Sequence, residues 1–304
     1  MAVIRSSDLD FDTIKANLKT FFQSKSDFTD YDFEASGLNN ILDVLAYNTH
    51  INGLTANFAI NESFLNSAQL RASVVSHAET VGYYPASKTG SSATIGITVT
   101  TNDLITASAT LPAFVTFTGT LGDTTYTFQT LEAHTAVNDG AGSFVFKTET
   151  GLSAIKIIEG TQKTKTFIVG EVADNQVYVI PDAELDKDTL KVSVFDTTTS
   201  TTFVSYNDVE TVVRIDANSR VYIIRETPNG QFEIIFGEGN VLGKAPTAGN
   251  KISITYLATD GADANSINTF TADNTIAIGG VSYTPTITTT VNSAGGSPKE
   301  SIES

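Results

Sequence analysis

The chain has 304 residues, 40% of them hydrophobic, which is enough for a packed core and for roughly two domains. It has no cysteine, so disulfides, thiolate metal sites and a Cys nucleophile are excluded. Its 18 Lys and Arg against 34 Asp and Glu leave a net charge of −16, a field that repels phosphate backbones and anionic surfaces and argues against nucleic acid as a partner.

Residues 7–25 read as a helix, with Ser7 and Asp10 as an acidic capping box and Leu9, Ile14, Leu18, Phe21 and Phe22 at helical spacing. No run in the chain approaches the 18 or more apolar residues of a membrane span, so direct membrane insertion is not expected. Residues 26–34 read as a loop holding Phe28, Tyr31 and Phe33 among acids. These aromatics have two readings, as core closing over the helices or as interface anchors.

Ser36 is the next N-cap candidate, and Leu38, Ile41, Leu42, Leu45 and Thr49 mark one face of a helix expected to reach about residue 60. Gly53 weakens that helix by about 1 kcal/mol relative to Ala. A further helix is expected from Ser63, with Leu65, Leu70, Val74, Val75 and Ala78 as its stripe, Gly82 as its C-terminal stop and Pro85 beyond. These helices carry Asn39, Asn40, Asn48, Asn52, Asn57 and Asn61 where Lys and Glu are usual, a composition suited to another protein surface.

From Ser92 the period changes from 3.6 to 2, starting with Thr94–Thr100. Strands are expected at 114–118, 126–128, 142–147, 154–159, 165–169, 176–180, 190–195, 209–215, 221–225, 232–236 and 252–257. The charged run Asp182–Asp188 is expected to interrupt them. The fold class is α+β, a helical unit followed by mainly antiparallel, sandwich- or barrel-like β domains. The expected division is a helical assembly domain over 1–88, β domains over 89–185 and 186–292, and a linker with a helix start over 293–304. That start is the capping box Ser297 to Glu300 with Pro298 at the first helical position, and it reads as a truncated helix.

No catalytic, metal or cofactor constellation emerges. His50, His77 and His134 lack the spacing of a zinc site, and Asp30, Asp32 and Glu34 fail the calcium-loop pattern at Ala35 and Ile41. Gly237-Glu238-Gly239 is not followed by the third glycine or the helix of a dinucleotide fingerprint. Gly237, Gly239 and Gly243 read instead as structural turn residues supplying positive φ. Lys88-Thr89-Gly90 and Ser153 to Lys156 match β-lactamase motifs by chance, since their order is reversed.

Two segments carry a resemblance. One runs from Phe28 through His50 and Asn61–Ala78 to Gly82-Tyr83-Tyr84-Pro85; the other spans Phe236–Pro246, Gly249–Tyr256 and Gly261–Asn265. Together they resemble the inner-ring baseplate wedge proteins of T-even-like contractile-tailed phages, within the broader baseplate J-like family. The resemblance covers both ends of the chain well and the middle, 100–220, only in its β character. It implies a structural protein of the virion tail baseplate, assembled in the host cytoplasm. The implied partners are other copies of the chain, other wedge proteins, and hub and sheath-initiator proteins. Phe28, Tyr31, Phe33, Leu38, Ile41 and Leu45 would carry assembly. In that family the chain continues into a further domain, which agrees with a truncated helix at the C-terminus. Two other readings stay open: a host-attachment or carbohydrate-binding β protein with a helical anchor, and a polysaccharide-cleaving tail enzyme.

Overall fold

The computed structural model describes residues 10–28, 32–33, 36–171, 176–238 and 243–302. The architecture is α+β, with a helical unit over Met1–Tyr84 and a β unit over Pro85–Ile302.

The helical unit begins with α1 (Phe11–Gln23), whose N-cap is Asp10, its carboxylate accepting the Thr13 N–H at 3.1 Å. The cap expected at Ser7 lies outside the described residues. α2 (Leu38–Glu62) starts at Gly37 without a side-chain cap; Ser36 turns its hydroxyl back to the Phe33 carbonyl instead. α3 (Arg71–Thr80) is shorter than expected, because residues 63–70 are turns. The Glu62 carboxylate accepts the Gln69 N–H at 2.9 Å and the Leu70 N–H at 3.2 Å. These hydrogen bonds, with one from the Ser73 side chain first among them, hold Glu62 below the usual carboxylate range. At the other end Tyr83 N–H reaches Ala78 O and Gly82 N–H reaches Glu79 O, with Gly82 at φ +81. This is the paired C-terminal bonding that lets a left-handed glycine end a helix.

The β unit holds two seven-stranded sheets, each over its own core. The first runs in the order Phe270–Ala272, Thr116–Leu121, Thr124–Gln129, Ile155–Glu159, Ser92–Thr100, Thr286–Ala294, with Ser143–Val145 also pairing Ser92–Thr100. Along Ser92–Thr100, Ala93, Ile95, Ile97 and Val99 alternate inward onto Phe117, Phe128, Phe144 and Phe270. Phe270–Ala272 and Thr286–Ala294 therefore return to the first sheet, the latter along the strand that opens it, while Ile276–Ile278 and Val281–Tyr283 between them pair as a separate hairpin.

The second sheet runs Thr161–Ile168, Lys251–Ala258, Leu185–Phe195, Phe203–Asp208, Val221–Glu226, Phe232–Phe236, Val177–Ile180. Its end strands are joined through side chains: the Phe167 and Tyr178 rings lie 5.2 Å apart, and Asp182 takes Lys163 at 2.8 Å and the Tyr256 hydroxyl at 3.0 Å. Two expectations fail here. The run Asp182–Asp188 does not interrupt the strands, since Leu185–Phe195 begins within it. The strand expected at 209–215 is a 3-10 turn, Val209–Thr211, because the Asp208 carboxylate accepts the Glu210 N–H and ends the preceding strand.

Charged residues sit where the two sheets meet. Asp186 is 1% exposed and accepts the Gly90 N–H at 2.8 Å and the Asp188 N–H at 3.0 Å. Glu159, also buried, accepts from the Thr259 hydroxyl and the Asp260 N–H. A Cβ on Gly90 would meet Glu159 O at 2.5 Å, and one on Gly296 would meet Gly261 O at 2.3 Å, so the backbones there approach as only glycine allows. The C-terminal capping box does not form a helix. Ser297 pairs with Thr89, the Glu300 carboxylate accepts the Ala86 N–H at 2.9 Å, and Lys299 reaches Glu226 at 2.9 Å.

Burial raises the Asp186 carboxyl above its ordinary value, against the hydrogen bonds that favour its charge. A raised folded pKa gives stability that is fully present below the unfolded value, near 3.9, and is lost as pH rises through the folded value. The stability difference, wild type minus Asp186→Asn, should therefore fall as pH rises from about 4 through that window. Denaturant unfolding of both proteins across pH checks this, and a difference that grows with pH would contradict it.

Candidate functional site

α2 is apolar on two opposite faces. Leu42, Ala46 and Gly53 form one line and are buried within the helical unit, where Lys15 of α1 pairs with Asp43 at 2.6 Å. On the other side Val44, Tyr47, Ile51, Leu54 and Phe58 follow a 3-4-3-4 spacing, the heptad pattern of a helix seam. These five are 68%, 61%, 37%, 58% and 45% exposed. At 100° per residue this stripe is centred roughly opposite the buried line. A helix apolar nearly all round is a buried helix, so its exposed stripe has the composition of a contact surface.

The residues expected to carry assembly lie on a different face. Ile41 and Leu45 are exposed, at 55% and 42%, but at 100° per residue they stand about 100° and about 140° from the centre of the stripe, with Leu45 nearer the buried line; Leu38 is partly buried. Phe33 is 2% exposed and Phe28 partly buried, with rings 6.3 and 5.6 Å respectively from Phe22 of α1. Of the two readings of these aromatics, Phe33 takes the core one within the helical unit. Tyr31 lies outside the described residues.

The expected face of Leu38, Ile41, Leu42 and Leu45 thus mixes one buried residue with exposed ones. The sequence signal that finds the stripe is the heptad spacing from Val44 to Phe58, which the 3.6-residue reading around Leu42 passes over. Among the amides, Asn61 is buried with its Nδ2 on Asn57 O at 2.7 Å, and Asn48 bonds Asn52 at 3.4 Å along the helix.

In the β unit, Gly243 has φ +71, and a Cβ there would meet Val221 at 3.1 Å and Gly237 Cα at 3.3 Å, so a turn glycine is required. Gly239 lies outside the described residues. His77 Nε2 bonds Glu62 O at 2.8 Å, and buried His134 is held below the ordinary imidazole value by desolvation. Among the described residues no group of three or more His, Asp and Glu is placed to hold a metal, and no helix is long and apolar enough to cross a membrane.

Residues 10–83, which contain α1 to α3, match the helical domain of gp6-like baseplate wedge proteins. The similarity is to baseplate wedge proteins. Residues 169–258, most of the second sheet, match the third domain of bacteriophage baseplate wedge protein gp6. The baseplate wedge protein gp6 of Enterobacteria phage T4 is 30% identical over 283 residues, 88% of this chain. The chain spans about 40% of the length of that relative. The exposed stripe of α2 lies inside the matched helical domain.

An exposed apolar stripe binds hydrophobic dyes, and changing solvent-facing residues usually moves stability by less than about 0.5 kcal/mol. Val44→Ser, Leu54→Ser and Phe58→Ser combined should reduce anilinonaphthalene sulfonate fluorescence of the isolated chain and leave the β-unit melting temperature unchanged. Titration of dye into both proteins, with parallel melts, checks this.

Proposed function

We propose that the chain is an inner-ring component of a contractile-tail baseplate wedge, within the broader baseplate J-like family, acting as a structural part and not as an enzyme. α2 enters a helical bundle through Val44, Tyr47, Ile51, Leu54 and Phe58, with exposed Ile41 and Leu45 offering a second contact on an adjoining face. The other members of the bundle are further copies of this chain and neighbouring wedge proteins. The two β sheets space and orient these bundles around the hub. On contraction the ring rearranges and passes the change to the sheath through the sheath-initiator proteins.

The observation that carries this reading is the unpartnered heptad stripe on a helix matched to the wedge helical domain. Fully burying a Val, Leu, Ile or Phe side chain is worth about 1.5–3 kcal/mol, so four such positions, with the Tyr47 ring beside them, supply a drive for association. The division of the β unit into two cores fits a spacer role, since rigid parts joined at repackable contacts suit a relay. Assembly in the host cytoplasm, without nucleic acid or membrane as a partner, agrees with the charge of −16.

Ile51→Asp places a charge at the centre of the stripe, and Leu45→Asp places one on the adjoining face. Burying it unpaired costs several kcal/mol, so both variants should be absent from assembled baseplates while the chain stays folded. Complementation of a phage lacking the wild-type chain, followed by mass spectrometry of purified baseplates, reads this directly. Wild-type recovery of both variants would sink the helical-bundle claim.

A further inference from the structure

The second sheet contains a parallel pair, Asn207 with Val221 and Asp208 with Tyr222, joined by the crossover 209–220. Beside it the chain closes an open cavity of about 510 Å³ lined by Ser205, Asn207, Asn218, Arg220 and Lys244, among others. Three segments fix it in place. Asn207 N–H bonds Arg220 O at 2.9 Å, Lys244 N–H bonds Ser219 O at 2.8 Å, and Gly243 N–H bonds Asp216 O at 2.9 Å.

Its chemistry departs from the rest of the chain. Acids outnumber bases 34 to 18, yet the two charged residues lining this cavity are both cations. Among the described residues neither Arg220 nor Lys244 has an ion pair or a side-chain hydrogen bond. The side chains of Ser205, Asn207 and Asn218 are likewise uncommitted among the described residues, whereas Asn138 and Asn250 donate to backbone carbonyls. The acids near it in sequence are committed to their own turns: Asp208 accepts the Glu210 N–H at 3.0 Å, and Asp216 accepts from Ser219 Oγ at 2.8 Å and Asn218 N–H at 2.9 Å. The cavity therefore gathers a guanidinium fork, an ammonium, two amides and a hydroxyl, with no opposing carboxylate in its lining.

We propose that this cavity binds a carboxylate presented by an acidic segment of a partner protein. Arg220 grips the two oxygens in fork geometry, Lys244 adds a point charge, and Asn207 and Asn218 donate from the rim. No aromatic side chain lines the cavity, so a sugar ring has no face to stack on. The surrounding negative field disfavours a polyanion such as nucleic acid and leaves room for a short acidic segment. The choice of a protein segment as ligand rests on the assembly reading; the cavity's preference for a carboxylate does not.

The test uses the whole chain and a fluorescein-labelled tetraglutamate peptide read by anisotropy, with tetraglutamine as control. Tetraglutamate should bind saturably and weaken with added salt, tetraglutamine should not bind, and Arg220→Ala or Lys244→Ala should each reduce affinity about tenfold. In wild-type protein, amide chemical shifts on titration should move at 205–207, 218–221 and 244. Absence of saturable tetraglutamate binding, equal binding of tetraglutamine, or shifts confined elsewhere would overturn the site. Binding of methyl glucuronide in place of the peptide would overturn the partner class. Failure of this assay leaves the α2 stripe untouched, since incorporation into baseplates measures that separately.

Discussion

A helix of 25 residues with apolar side chains on opposite faces cannot satisfy both against one neighbour, and α2 is such a helix. Its Leu42–Ala46–Gly53 line is used inside the helical unit. The Val44–Phe58 stripe is in part exposed to water, where each large side chain forgoes a share of the about 1.5–3 kcal/mol that full burial supplies. The proposed partner helix would remove it from water. The rest of the helical unit serves this presentation. Asp10 caps α1, Phe33 packs with Phe22, Glu62 binds the N–H groups at the approach to α3, and Gly82 stops α3.

The β unit follows a different rule. Its two cores are each closed by alternating side chains, and the contacts between the sheets are polar and buried. Asp186, Glu159 and the close backbone approaches at Gly90 and Gly296 define that junction. Buried carboxylates that are hydrogen-bonded but costly to charge favour one precise arrangement over a merely sticky one. That suits a spacer whose two sheets must keep their orientation while helices elsewhere exchange partners. The cavity at Arg220 and Lys244 follows the opposite principle, gathering uncommitted donors that the proposed carboxylate would satisfy.

Much of this was legible in the sequence, for particular reasons. The switch of period at Ser92 and the alternation of Ala93, Ile95, Ile97 and Val99 announce a strand with one dry face, and that strand forms. Gly82 and Gly243 announce positive φ, and both have it, whereas Gly237, read the same way, does not. The failures are non-local. Thr286–Ala294 alternates mostly Thr with few large apolar residues, so nothing local says that it returns to Ser92–Thr100. Asp186 reads as a loop residue until the Gly90 N–H is brought to it from about a hundred positions away. Ser297 to Glu300 spells a helix start, but Thr89 and Ala86 offer those groups better partners. The stripe of α2 was not seen: the face expected around Leu38, Ile41, Leu42 and Leu45 is centred on the side of buried Leu42, and only the heptad from Val44 to Phe58 marks the exposed one.

The most direct measurement places a photo-reactive side chain at position 54, in the middle of the exposed stripe, within assembled phage particles. The account predicts that irradiation joins this position to a second copy of the chain or to another baseplate protein, while the same group at exposed Thr199 of the β unit does not join to those sites. Absence of any crosslink at position 54 in intact particles, with the chain present in them, would contradict the claim that α2 is completed by a partner helix.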